Sequence, residues 1–549
     1  MAELEIRSFF ARLTYRKFTG RIGAMRFASW LSVSATLWAC SPHAAPPAQS
    51  PIFTAPKTEW KQVEPAKQKL PLVANPPGVP QPDPSCQAYV AHTADTCKPA
   101  GSTREALAQA VSLAAPLERD AQLACLERDP GLPPGWVRAL RAELGPLGCA
   151  DPIAMPFLDP RRPELERSIE DVLIALATSG RLARLVQQAP ELSAPFDKPH
   201  FMDFFQATLK PWIVAQAQAI HDLSLPAARL SPYAKGIAAI EAGLADMRFV
   251  SVVRKVALPK EMNDDAEVRD AYYAALDEAL EPRKARGRDA ALVGLRELAN
   301  EGILVDARVE RARALLSEVY SGRRINALDQ LLLPTLAPTI DDSIELNLAR
   351  RVPTFYAGYL FADSSPDAPL LRALLERGLP RTLAARLDPS KLDDAGRDLL
   401  VRALIERGRR YFRAEDFAVA ARLSEGDKPN PARALYHALA TSLQGGPRDA
   451  TELLLRGPQL PTSALQVSEL DRLAAEKNNP SAPLAAFDAA YLLGLAPPQN
   501  DAPFWEALAK RFESASRALK EPAQKRVAHE SGVAAKETAK VLARSTPSK

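Results

Sequence analysis

Apolar residues recur at helical spacing through most of the chain. Leu173, Leu176 and Ala177 precede Ser179-Gly180, and Leu182, Leu185 and Val186 follow, which reads as a helix–turn–helix with glycine as the stop. Residues 201–221 form a further apolar run that Pro211 should kink or split. Helical runs follow at 233–253, 264–280, 289–300 and 305–321. In the last, Val309, Ala312, Leu316 and Val319 share one face, and Gly322 ends it. Few segments show the Val/Ile/Thr/Tyr alternation of strands. The pattern predicts an all-α protein, its hairpins stacked as an irregular α-solenoid over residues 151–516.

Two flanking regions read differently. Residues 41–84 contain twelve prolines. Such a stretch stays extended, at ~3.1 Å per residue in polyproline II. Residues 40–84 are therefore expected to be a disordered linker, with Trp60 as a lone aromatic. At the other end, residues 517–549 are polar and rich in Lys and Ala, and read as a basic tail, a frayed helix followed by disorder.

Residues 85–150 hold Cys86, Cys97, Cys125 and Cys149. Ser102-Thr103-Arg104-Glu105 matches a capping box and should start a helix carrying Leu107, Val111 and Leu117 toward Cys125. Pro133-Pro134 opens a second helix, and Gly145-Pro146 closes it. Four cysteines allow three pairings. The local pairing, Cys86–Cys97 with Cys125–Cys149, is the expected one, the second bond stapling the helical hairpin.

Residues 25–40, MRFASWLSVSATLWAC, carry the address. Arg26 precedes an apolar run of about 13 residues, the length of a signal h-region and short of the ~20 that span a bilayer. Leu37-Trp38-Ala39-Cys40 resembles the lipobox of bacterial lipoproteins, with Trp38 at a position that is usually small. The resemblance implies acylation of Cys40 and cleavage before it, which makes residues 1–39 a signal peptide. Met25-Arg26 already opens a complete signal, so translation from Met25 is favoured. It further implies a bacterial envelope protein held to a bilayer through Cys40. Ser41 stands where aspartate retains some lipoproteins at the inner membrane, which points to the outer membrane.

A second resemblance lies further on. Leu400, Leu404, Gly408 and Tyr411 share a helix face, residues 413–416 form a turn, and Phe417, Ala420 and Ala421 open the next helix. Gly408, Tyr411, Phe417 and Ala420 resemble the packing positions of a tetratricopeptide repeat, with Asp427 and Ala432 at its later Ala and Pro positions. Leu435, Ala438 and Leu439, a turn at Gly445-Gly446, and Ala450, Leu453 and Leu454 echo it. The resemblance implies a concave surface that binds another protein.

Composition narrows the chemistry. The 549 residues have a formal net charge of +4, which argues against a nucleic-acid binder. With Cys40 set aside, an even number of cysteines suits an oxidising compartment. The six histidines form no HExxH or other metal-binding pair. No P-loop, GxGxxG or GxSxG motif occurs. Asp264-Asp265 and Asp341-Asp342 precede helical runs and read as caps. Glu513-Ser514 and Glu530-Ser531 match the acid dipeptide of lytic transglycosylases, but too little chain follows for that domain. No catalytic residue, metal or cofactor is assigned. The expected function is a membrane-anchored lipoprotein acting as a protein-binding helical scaffold. The alternative is a hydrolase of an envelope polymer, peptidoglycan or polysaccharide, with a site built from distant residues.

Overall fold

The computed structural model describes residues 60, 63–72, 74–94, 101–158, 164–319, 325–336, 343–364, 366–426, 430–444 and 467–545. Residues 1–39, Cys40 and Cys97 lie outside them, as does the turn at Gly445-Gly446 with Ala450, Leu453 and Leu454. The protein is all-α. Among the described residues the β structure is a single isolated bridge between Ile303 and Gly378.

The helices run as follows: α1 (Cys86–Ala91), α2 (Thr103–Ser112), α3 (Pro116–Ala124), α4 (Trp136–Leu144), α5 (Ala150–Ala154), α6 (Arg167–Arg184), α7 (Lys198–Phe204), α8 (Lys210–Ala227), α9 (Pro232–Arg254) and α10 (Ala266–Asn300). They continue with α11 (Ala307–Val319), α12 (Ile344–Arg351), α13 (Thr354–Leu360), α14 (Ala368–Leu375), α15 (Asp394–Tyr411), α16 (Ala414–Ser424), α17 (Pro431–Leu443), α18 (Ser468–Ala474), α19 (Ala482–Leu495), α20 (Ala502–Ala518) and α21 (Pro522–Ser545). Short helical turns between them are left unnumbered.

Helix α9 is the centre of the first half. It packs against α6, α8, α10 and α11, and its buried residues lie all round it. A helix without a polar face belongs in a core. Its partner α10 runs unbroken for 35 residues, where two helices, 264–280 and 289–300, were expected. Pro282 lies inside it. An interior proline costs about 3 kcal/mol, and here the packing of the following turns on α9 offsets it. Arg283 and Arg286, just past the proline, both bind the buried Asp246 of α9, at 3.0 and 2.6 Å.

Other breaks also fall differently. Helix α6 passes straight through Ser179-Gly180. Gly180 is there for closeness, since a Cβ on it would sit 2.8 Å from the Leu147 carbonyl oxygen. The helical run continues through Pro211, which follows a π-helical turn, Phe205–Leu209, that joins α7 to α8. The capping box at Ser102 and Glu105 is present, although its helix ends at Ser112 and Pro116 starts a new one.

The proline-rich stretch is not a free linker throughout. Residues 63–72 and 74–84 contain no helix, yet they lie along α6, α8 and α9. Trp60, Ala66 and Val79 are buried. Proline-rich backbone offers acceptors with few donors, so the helices supply the donors. Lys235 Nζ donates to the Val63 carbonyl (2.9 Å), Arg167 to Lys67 (2.9 Å), Gln216 to Gly78 (2.9 Å) and Arg184 to Pro80 (2.9 Å). The Ala66 amide returns one bond to the Arg229 carbonyl (2.8 Å).

The expected local disulfide pairing is also overturned. Cys86 bonds Cys149, 63 residues away, with their Cα atoms 5.2 Å apart. Cys125 is itself disulfide-bonded, and so is not the partner of Cys149. The cause is tertiary: buried Arg141 of α4 donates to the Tyr89 carbonyl of α1 (2.8 Å) and holds α1 over the 147–149 turn. Closing a loop of that length is worth about 4 kcal/mol in the chain-entropy account.

In the second half each helix packs on its successor, α15 on α16, then on through α21. Gly408 faces Phe417, and a Cβ on it would lie 2.8 Å from the ring. Gly408, Tyr411, Phe417 and Ala420 are all buried, and the Tyr411 hydroxyl donates to the Ile303 carbonyl (2.7 Å). Leu435, Ala438 and Leu439 are buried on α17. The expected frayed tail is instead the 24-residue helix α21, lying against α20 along Ala528, Ala535 and Ala539.

Candidate binding groove

Helices α14 and α15 border an open groove of about 240 Å³. Both are capped by aspartate: Asp367 accepts from the Leu370 amide (2.9 Å) and Asp393 from the Gly396 amide (2.7 Å). From α15 come Leu399, Arg402, Ala403, Glu406 and Arg410, spaced so that they line one face. Arg372, Leu375 and Glu376 come from α14 and the residue after it, and Leu304, Val305 and Leu336 complete the lining.

The charges in the groove are internally engaged. Glu406 pairs with Arg409 (2.5 Å) and Arg402 (3.8 Å), Glu376 with Arg350 (3.5 Å), and Arg410 with Glu310. Burial pulls the Arg410 guanidinium below its ordinary value. Arg402 also reaches the Pro334 carbonyl and the Tyr436 hydroxyl. The lining is a set of guanidinium and leucine side chains with two carboxylates, Glu376 and Glu406.

The segment leading to Leu336 is tied from several sides. Leu331 and Leu333 carbonyls accept from Arg409 (2.8 Å) and Gln524 (3.3 Å). Asp488 of α19, wholly buried, accepts from the Leu332 amide (2.8 Å) through one oxygen, and its other oxygen has no partner. Burial holds this carboxyl well above the usual carboxylate range, against weaker opposing pulls from the Leu332 amide and Arg409. The folded chain thus keeps a proton that the unfolded chain releases near pH 4. Stability contributed by this group is present below that pH and falls as pH rises toward the folded value. Asp488→Asn should flatten the decline of stability as pH rises above about 4 and leave the variant the more stable protein, relative to the parent, toward higher pH. Urea midpoints across pH measure this; an unchanged slope would show that Asp488 is ionised in the fold.

Two other clusters are buried structural networks. Glu143 accepts from the hydroxyls of Tyr233 (2.6 Å) and Tyr356 (2.7 Å) and pairs with Arg308, which also binds Asp306 (2.6 Å). Burial, and then the Glu143 charge, push both tyrosines well above their ordinary value. Burial opposes the Arg308 charge, but Asp306 and Glu143 outweigh it. The second network joins Arg141 and Arg138 to Asp120 and Glu127, with His92 2.7 Å from Asp120. Each buried charge here has opposite charges beside it, as burial requires.

The remaining sequence candidates do not assemble into a site. His200 lies 3.5 Å from Ser193, His437 3.1 Å from Ser424, and His221 is pulled down by burial and then by Arg286. Glu513 pairs with Lys536. Among the described residues no group of three or more His, Cys, Asp or Glu could hold a metal ion, and no helix is long and apolar enough to cross a membrane. The groove itself was missed in the sequence. Leu399, Arg402, Ala403, Glu406 and Arg410 do follow helical spacing, but the face through Leu400, Leu404, Gly408 and Tyr411 is more apolar, and apolar periodicity singles out that face instead. Comparison of the chain with known protein families, with curated proteins and with solved structures finds no match.

Proposed function

We propose that this protein is a lipid-anchored helical scaffold of the bacterial envelope, in the outer membrane, that binds another envelope protein in the groove between α14 and α15. The observation that carries the binding half is the groove's lining, in which Leu399, Arg402, Ala403 and Arg410 along one face of α15 stand beside Arg372 and Leu375 of α14. Arginine is enriched where protein surfaces meet. The anchoring half rests on the lipobox-like Leu37-Trp38-Ala39-Cys40. Two or three acyl chains, at ~0.8 kcal/mol per buried methylene, hold a protein to a leaflet without a spanning helix. The tetratricopeptide-like hairpin at Gly408 and Phe417 supports a protein partner over a polymer substrate.

The test has two arms. Cys40→Ala is expected to move the protein from the membrane to the soluble fraction, and retention on membranes would refute the anchor. A photo-crosslinker at Ala403 should capture a defined partner in cells, and Leu399→Glu should abolish the capture while the helical signal is kept. Crosslinks indifferent to Leu399→Glu would refute the groove.

A further inference from the structure

We infer that the outward face of α21 is a docking surface for the anionic headgroups of a phospholipid bilayer. The formal net charge of the whole chain is +4. Residues 502–545 carry nine Lys or Arg against five Glu, a surplus of the same size. The charge that looked diluted over 549 residues is thus matched by one terminal hairpin.

Within α21 the charge is further sorted. At about 100° per residue, Lys525, Arg526, Lys536, Lys540 and Arg544 fall within about 100° of arc, along a stripe about 28 Å long. No carboxylate of α21 falls inside that arc. Glu530 and Glu537 lie just past one edge, and the alanine stripe that meets α20 lies beyond the other edge, about 110° round from the arc's centre. All five cations are exposed. Lys536 pairs with Glu513, and Lys540 lies 2.7 Å from Glu537. Pairs at such exposed positions are weak and exchange readily for another anion. Val533, 47% exposed, lies within the same arc, and Val541, 59% exposed, lies beyond the glutamates. A basic helix face with apolar residues beside it suits the headgroup layer, where cations meet phosphates and valines enter the shallow apolar edge.

The choice of a bilayer over a soluble polyanion rests on the anchor reading, which brings a leaflet within reach of the chain. A single acylated cysteine leaves the body free to swing, and a second, electrostatic contact would lay it against the surface.

The experiment separates this inference from the anchor. The full mature chain carrying Cys40→Ser, which cannot be acylated, is sedimented with phosphatidylcholine vesicles and with vesicles about one-third phosphatidylglycerol. Binding to the anionic vesicles alone is expected, with loss in about 0.5 M NaCl. The variant Lys525→Gln/Arg526→Gln/Lys540→Gln/Arg544→Gln should bind at least ~10-fold more weakly, and Glu530→Gln/Glu537→Gln more tightly, each with an unchanged helical signal. Failure to bind anionic vesicles, equal binding to both vesicle types, or no difference among the three proteins would overturn the inference. So would retention on a heparin column without any vesicle binding, which would reassign the face to a soluble polyanion.

Discussion

Gly243→Ala should destabilise the protein by about 2–3 kcal/mol, whereas Gly532→Ala should be neutral or stabilise it by up to about 1 kcal/mol. Both glycines lie inside helices, and alanine is the better helix former at each by the same intrinsic amount. Their surroundings decide the sign. A Cβ on Gly243 would stand 2.6 Å from the Gly287 carbonyl oxygen and 3.0 Å from the Ala291 amide nitrogen. Both are backbone atoms of α10 and can give way only if the helices part. Gly236 and Gly294 repeat the close approach further along, where a Cβ on Gly294 would meet the Gly236 carbonyl at 2.9 Å. Parting α9 from α10 would loosen Asp246 from Arg283 and Arg286 as well. At Gly532 the nearest atom is the Phe512 Cβ at 3.4 Å, an ordinary contact. Denaturation midpoints of the two variants make the comparison. If Gly243→Ala matched Gly532→Ala, the glycine seam would not be what sets the spacing of the central helices.

A comparable loss is expected from Glu143→Ala, about 3–5 kcal/mol. The carboxylate ends three donors at once, two tyrosine hydroxyls and a guanidinium, that come from α9, α11 and α13. Its removal leaves Arg308 with only Asp306 as a charged partner, and leaves Tyr233 and Tyr356 without an acceptor. Unsatisfied buried donors cost more than the original bonds contributed. Tyr233→Phe and Tyr356→Phe remove one donor each and leave no stranded charge, so each should cost only about 1–1.5 kcal/mol. The double variant Glu143→Leu/Arg308→Met should recover part of the loss, because it removes both buried charges together. A double variant as unstable as the sum of its parts would show that Glu143 and Arg308 act independently.

These two sites show why some features were legible in the chain and others not. Helix periods, the capping box at Ser102 and the aspartate caps are local, because the bonds that make them join residues three or four apart. The packing of Phe417 on Gly408 was legible for the same reason, since the two helices are adjacent in the chain. Helix ends were read less well. Gly180 and Pro282 look like breakers in isolation, yet each sits mid-helix because contacts with a distant element outweigh local preference. The proline-rich stretch misled in the same way. Its lack of donors predicts an extended chain correctly, but whether an extended chain floats or docks depends on donors elsewhere, here Arg167, Arg184, Gln216 and Lys235.

The linear pattern of side chains was therefore enough for the all-α class, most helix positions and the expectation of an acylated Cys40, because each rests on residues near one another in the chain. The bonding of Cys86 to Cys149, the union of two expected helices into α10, the docking of residues 63–84 and the groove between α14 and α15 came from folding. In each case the deciding contact joins residues far apart in the chain, and no local spacing records which distant donor, cysteine or helix face will be brought alongside.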